Sequence, residues 1–464
     1  MLQERYSRAR PGSQGAGRGH WHAACTFLAT QHQRADRLGE RELLNRQRRR
    51  LSICLLVVVA AVQAAGCTST SAKRQIYHFN HPIPPADPAF RRSLDSFGNL
   101  MVKGNSVELL KNGDQIFPAY LEAIAGAKRT VNLESYIFGN DRAGAMVTNA
   151  LLDAARRGVE VRVLIDGFGG RPGPLLDQMK KGGVDARTYD PIRPWTLVRI
   201  SWRTHRKLLL VDGAVGFTGG LGIDVRWLGD ARNPQEWRDT QVRVTGPVVG
   251  QMQAIFGEDW TYTTGEILAG DKFYPALTAT DDLEAQAIKV SRGDLSSQAK
   301  MLYYVAIRSA VKSIHLQNAY FLPDPQVRQA MVEAVQRGVD VRVMVPGKHI
   351  DIPVVRLASR LHYGELLKGG VRIYEYVDTM LHAKTAVVDG VLSIVGSINF
   401  DDRSMVRNAE ESMAIYDRGF AAKLDALFME DIKHCKEIDY ERWKRRSWGD
   451  RLGELLSGLW TPLY

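Results

Sequence analysis

His205-Arg-Lys207 and His382-Ala-Lys384 are the residues of this chain whose types and spacing best suit chemistry. Each opens the pattern His-x-Lys-x-x-x-x-Asp, on an apolar run that closes in Asp-Gly at Asp212 and Asp389. Imidazole is both a nucleophile and a proton donor near neutral pH. Two histidines facing each other across a phosphate divide that labour. One attacks phosphorus to form a phosphohistidine while the other protonates the leaving oxygen; the second then deprotonates an incoming hydroxyl or water, whose attack regenerates the first. An ammonium beside each imidazole would hold the non-bridging oxygens, and its removal would cost a few kcal/mol, as the loss of an oxyanion donor does. A site of this kind is expected to use no metal and no cofactor.

The elements that must position these groups follow from the pattern around them. Each apolar run has the composition of a short buried strand closed by a turn. Alternate strand residues share a face, so His205 and Lys207 point the same way, as do His382 and Lys384. Asp212 and Asp389 complete the candidate catalytic set, although they fall on the opposite parity, and Asp-Gly turns equally suit a structural role. The motif is one of four ordered matches between the two parts of the chain. Ala154–Gly167 matches Ala334–Gly347, Val131–Tyr136 matches Ile314–Tyr320 with one residue gapped, and Lys181-Gly-Gly-Val184 matches Lys368-Gly-Gly-Val371. The motif histidines are 177 residues apart, which is the spacing of a duplicated domain.

Within the first copy, Val107–Lys111 reads as a strand ended by a hairpin-type turn at Asn112-Gly113. Helices are predicted over 116–127 and 142–157, and strands over 130–138 and 159–166. Alternation of this kind implies α/β architecture: two tandem pseudo-symmetric domains, each a mixed core sheet flanked by helices. The expected boundaries are 105–265 and 298–439, with a linker over 266–297. Segment 440–464 combines Arg442, Lys444, Arg445, Arg446 and Arg451 with Trp443, Trp448 and Trp460, which suits either an interfacial amphipathic segment or a surface helix packing its aromatics on the domain.

The net charge of +11 is unevenly spread. Residues 1–50 hold eleven Arg against four acidic residues, a net of +7, which leaves +4 for the rest. That small excess does not argue for a nucleic-acid partner, and it suits work near anionic lipid headgroups. Residues 1–50 read as a disordered or mis-assigned leader. Arg48-Arg49-Arg50, the apolar run Leu51–Ala65 and Gly66-Cys67 describe a signal peptide whose cleavage site is similar to a bacterial lipobox, with Cys67 lipidated; an uncleaved anchor and a soluble form are the alternatives. Residues 68–104 are expected to form an extended tether. Cys435 is the one cysteine after residue 67, so neither a disulfide framework nor a zinc cluster is expected. His315 and His362 have no paired copy and are read as structural.

The paired motif resembles the phospholipase D superfamily and, within it, the bacterial cardiolipin synthases. Gly396-Ser-Ile-Asn-Phe-Asp-Asp-Arg-Ser404 with Asn408-Ala-Glu410 is similar to that superfamily's extended motif. Phe217-Thr-Gly-Gly220, Glu236-Trp-Arg-Asp-Thr240, Gly246-Pro247 and Phe256-Gly-Glu-Asp-Trp260 look like the synthases' first half. The resemblance implies a metal-independent phosphatidyltransferase of membrane phospholipids, moving a phosphatidyl group from one phosphatidylglycerol to another to give cardiolipin and glycerol. It makes His205 the nucleophile and His382 the acid/base, with the reverse assignment open. Water as acceptor, a nuclease, or a non-enzymatic lipid-binding protein are the alternatives. It also implies that Glu410, 28 residues after His382, orients that histidine, with Asp239 as the equivalent for His205. Ser397 and Asn399 are expected in the phosphate pocket, with Gly220 at the place of Ser397 and Gly222 where the family has Asn. A cell-envelope location is implied; oligomeric state is not.

Overall fold

The computed structural model describes residues 76–193, 202–291 and 298–458. The leader, the apolar run with Cys67 and the start of the tether lie outside the described residues. So do 292–297 of the linker and Trp460.

Two copies of one strand pattern build the molecule. The first copy comprises β1 (Val102–Lys111), β2 (Thr130–Ser135), β3 (Glu160–Asp166), β4 (Asp185–Tyr189), β5 (Leu208–Val211), β6 (Val215–Gly219) and β7 (Thr240–Thr245). The second comprises β8 (Leu283–Val290), β9 (Ser313–Asn318), β10 (Asp340–Pro346), β11 (Arg372–Tyr376), β12 (Lys384–Val388), β13 (Leu392–Gly396) and β14 (Glu410–Tyr416), with a short added edge strand β15 (Cys435–Glu437). In space the first copy runs β1-β7-β6-β5-β2-β3-β4 and the second β8-β14-β13-β12-β9-β10-β11-β15. Antiparallel pairing of β1 with β8 joins them into one fifteen-stranded mixed sheet. The parallel portions, β2-β3-β4 and β9-β10-β11, are linked through helices, as crossover geometry demands. The described helices are α1 (Pro88–Ser93), α2 (Asn112–Gly126), α3 (Arg142–Arg156), α4 (Pro174–Lys181), α5 (Val249–Thr264), α6 (Gln298–Ser309), α7 (Pro325–Gln336), α8 (Pro353–Leu361), α9 (Tyr363–Lys368), α10 (Arg418–Ile432), α11 (Tyr440–Lys444) and α12 (Trp448–Gly458).

Each half has its own apolar core. A third cluster takes Leu208, Leu210, Val242 and Val244 from one half and Val387, Val395, Met413 and Ile415 from the other. The described residues accordingly form one compact unit.

Three expected boundaries change. The tether is shorter than 68–104, because α1 and the turn after it bury Phe90 and Leu94 in the second-half core and β1 begins at Val102. The stretch 266–297 is more than a linker. It contains β8, which pairs with β14 over Glu284–Val290 and is the counterpart of β1. Finally, Asn112-Gly113 makes no hairpin: β1 runs straight into α2, with Asn112 in the left-handed region at φ 55°. Gly113 is required there because a Cβ would sit 1.9 Å from the Trp227 carbonyl oxygen.

Candidate active site

The motif histidines stand in the extended segments just before β5 and β12, and Lys384 is the first residue of β12. The parity argument holds in the first copy. His205 and Lys207 line one cavity, while Arg206 turns to the other face and pairs with Asp259 at 2.9 Å.

Those segments are fixed by the opposite half. His205 donates its backbone N–H to Ala409 O at 2.8 Å, and Ala409 donates to Arg203 O at 2.9 Å. The pairing sets the next residue, Glu410, against the His205 ring, with Nδ1 2.9 and 3.0 Å from its two carboxylate oxygens. The second site repeats the device. His382 donates its N–H to Arg238 O at 2.7 Å, Arg238 donates to Met380 O at 2.9 Å, and Asp239 Oδ2 meets His382 Nδ1 at 2.8 Å. The expected assignment is therefore reversed: Glu410 serves His205, and Asp239 serves His382. Counting along the chain found the carboxylates but paired each within its own half, whereas face-to-face packing about the pseudo-twofold exchanges them.

Burial lowers His205 to about 4 and His382 to about 3, outweighing the adjacent carboxylates. It also brings Lys207 down to about 7 and Lys384 to about 8. Burial works to raise Asp239 and Glu410, but the histidine and lysine facing each of them prevail and hold both below the usual carboxylate range. An ionised carboxylate only accepts, so each Nδ1 carries the proton and each Nε2 keeps its lone pair, with Lys384 Nζ within reach of that of His382. Lys207 Nζ donates to His205 O at 2.7 Å. Lys384 donates to His382 O at 2.5 Å and lies 3.0 and 3.1 Å from the two ring nitrogens.

The carboxylates have different second partners. Ser397 Oγ donates to Glu410 Oε2 at 2.5 Å, so Ser397 holds the orienting carboxylate and does not line the pocket. At the equivalent place a Cβ on Gly220 would lie 2.1 Å from Asp239 Oδ1. Asp239 instead receives the indole N–H of Trp227 at 2.7 Å, and its backbone N–H donates to Asn112 Oδ1 at 3.0 Å. Gly222, at the place of Asn399, is small for a neighbouring reason, since a Cβ there would be 2.7 Å from the Trp227 ring. Asp239 thus takes the space of a side chain at 220, and Trp227 that of one at 222. Trp227 also packs edge-on to His382 at 5.0 Å, with Trp237 on that ring at 5.4 Å, whereas His205 meets Tyr136 at 4.9 Å.

Both histidines, Lys207 and Asn399 open on a cavity of about 440 Å³. Lys384 does not reach its lining, which makes the two motifs unequal. Arg226, Arg403, Tyr136 and Tyr320 line it too, and sequence reasoning gave none of them a role. Tyr136 and Tyr320 had a usable signal, since they end one of the repeat matches.

Asp212 and Asp389, expected beside the histidines and lysines, stand apart from them. Asp212 accepts the backbone N–H groups of Lys128, Arg129 and Thr130, and Asp389 those of Val311, Lys312 and Ser313. Both lie at the far ends of β5 and β12 from the histidines, at φ 55° and 54°, and neither lines the cavity. His315 stacks on Phe428 at 4.8 Å, and neither it nor His362 lines the cavity.

A family profile described as cardiolipin synthase, PLD-like domain, matches residues 120–260 and 303–432. The chain belongs to this family. Among its relatives, a cardiolipin synthase of Geobacillus kaustophilus is 36% identical over 360 residues, covering 76% of this chain and 72% of that protein. Cardiolipin synthase 1 of Bacillus cereus is 34% identical over 371 residues, covering 77% and 72%. The fold recurs in the crystal structure of phosphatidylserine synthase from Haemophilus influenzae, with a TM-score of 0.63 at 14% identity, over 81% of this chain and 98% of that one. In this phospholipase D-like family member, the two profile matches coincide with the two copies seen in the sheet.

Proposed function

We propose that the chain is a cardiolipin synthase-type phosphatidyltransferase that moves a phosphatidyl group from one phosphatidylglycerol to the hydroxyl of a second. The observation that carries this reading is the pair of neutral imidazoles facing one cavity, each held by a buried carboxylate from the opposite half. His205 is the nucleophile, because it stands beside Lys207, the motif lysine that reaches the cavity and can transfer its Nζ from a backbone carbonyl to a phosphate oxygen. Nε2 attacks phosphorus, giving phosphatidyl-His205. His382, protonated as the phosphodiester anion adds its charge to that of Asp239, delivers a proton to the departing glycerol oxygen. The acceptor hydroxyl then returns a proton to His382 as its oxygen displaces His205.

The cavity has the size class of a small-ligand site, which suits the reacting headgroups with acyl chains left outside. The basic cluster Arg48–Arg50 and the apolar run after it support a place at the bacterial cell envelope. Incubating the purified protein with phosphatidylglycerol vesicles and identifying products by mass spectrometry tests the reading. Cardiolipin and glycerol are expected. Phosphatidic acid alone would make water the acceptor and overturn the transferase assignment.

A further inference from the structure

The C-terminal helix α12 packs on α8 the wrong way round for an ordinary surface helix. Its inward face is polar and small: Glu454 and Ser457 are buried, and Gly453 and Gly458 abut Leu357 and Leu361. Glu454 is tied to Arg360 Nε at 3.2 Å and Arg446 Nε at 2.9 Å, so this orientation is fixed by ion pairs in a buried place. Its outward face carries Trp448, Leu452, Leu455 and Leu456, which are 78, 45, 63 and 52% exposed. These four positions recur at i, i+4, i+7 and i+8, one continuous apolar stripe about 12 Å long. Exposed Arg442, Lys444, Arg445 and Arg451 lie just before α12 and in its first turn, outnumbering the exposed Glu441 and Asp450 there.

We infer that α12 is a docking helix that seats the protein on an anionic lipid surface. An apolar stripe with a terminal Trp and a basic surround is what an interfacial helix needs: the leucines enter the acyl boundary and the cations meet phosphate headgroups. A second copy of the chain is a poorer occupant, since it would bring like basic surrounds together. Gly453 against Leu357 and Gly458 against Leu361 make α12 run in the same sense as α8. The Trp448 end therefore lies toward the end of α8 that follows Asp351 and Ile352, both of which line the active-site cavity. Docking would bring the cavity edge to the bilayer that supplies the substrate. The inference holds whichever acceptor the cavity uses.

Hydrogen exchange of the full-length chain in nanodiscs reads this locally. Amides of 448–458 are expected to exchange about tenfold more slowly in discs containing phosphatidylglycerol than in discs of phosphatidylcholine alone. Leu452→Glu with Leu455→Glu should abolish that difference without changing thermal unfolding, because both side chains are exposed. Equal exchange in the two disc types would overturn the proposal, as would protection that survives the double substitution. Protection in both disc types that rises with protein loading would assign the stripe to a second copy, and overturn it too.

Discussion

Glu410→Gln tests the exchange of carboxylates between halves. In the native site Nδ1 of His205 faces both Glu410 oxygens, at 2.9 and 3.0 Å. Ser397 Oγ donates to Oε2 at 2.5 Å, and Asn408 Nδ2 approaches Oε1 at 3.4 Å. A glutamine keeps the shape but must turn its NH₂ toward one of these donors and toward the Nδ1 proton. The loss of a charge-assisted hydrogen bond costs ~1.5–3 kcal/mol, a factor of ~10–150. Forcing the proton to Nε2 removes the nucleophilic lone pair and extends the loss toward ~10⁴, the scale known for an Asn in place of a triad Asp. A fall in kcat of ~10²–10⁴ is expected, with KM little changed, since Glu410 is fully buried and touches no cavity surface. Imidazole ¹⁵N spectra of the histidine-labelled protein identify which ring responds. In a His382→Ala background the Glu410→Gln change should shift the His205 signals and move its proton. If Glu410→Gln leaves His205 unchanged and moves His382, each carboxylate serves its own half, and the pairing argued here is wrong.

Four further outcomes follow from the same geometry. Gly220→Ala places a methyl 2.1 Å from the native position of Asp239 Oδ1, so Asp239 must move and kcat should fall ~10²-fold; normal turnover would mean that Asp239 placement is unimportant. Trp227→Phe keeps the packing on His382 but removes the indole N–H from Asp239, and Ser397→Ala removes the matching donor from Glu410; each should lower kcat about tenfold, measured by glycerol release. Asp212→Ala abandons three backbone N–H groups and should cost ~2–4 kcal/mol in unfolding while the folded fraction turns over normally; a kcat collapse at unchanged Tm would restore Asp212 to the catalytic set. The lysines act as ammonium groups whose free values are lowered to about 7 and about 8, so kcat/KM should decline as pH rises through 7–8. A bound phosphodiester anion favours the ammonium, so the corresponding decline in kcat should sit at higher pH; coincident limbs would show that the lysines do not contact substrate.

Duplication made much of this legible without coordinates. A one-residue slip would turn every strand side chain over, so two copies of His-x-Lys on buried runs were enough to place imidazole and ammonium together. The strand order could be guessed only in part. The partner of β1 hid in 266–297 because β8, Leu283–Val290, shares its place but not a recognisable sequence. Asp212 and Asp389 were misleading for a physical reason: an Asp held at positive φ by three backbone donors is as demanding a position as a catalytic one, so the duplication reproduces it just as faithfully.

The carboxylate exchange lay beyond sequence logic, and it changes what the halves are. Glu410 and Asp239 each follow a residue whose backbone bridges to the other half's histidine segment. A half taken alone would keep its histidine and lysine but lose the acceptor that fixes the Nδ1 proton, so duplication here produced two incomplete sites that complete each other. The Gly220 and Gly222 positions follow from the same arrangement. Asp239 is one carbon shorter than Glu410 and takes its neutral donor from Trp227; its carboxylate fills the room that Ser397 fills on the other side, and the Trp227 ring that of Asn399. The resulting difference, an indole-lined His382 whose lysine lies against the ring and a His205 beside a Lys207 at the cavity wall, is a physical basis for giving attack on phosphorus to one imidazole and proton transfer to the other.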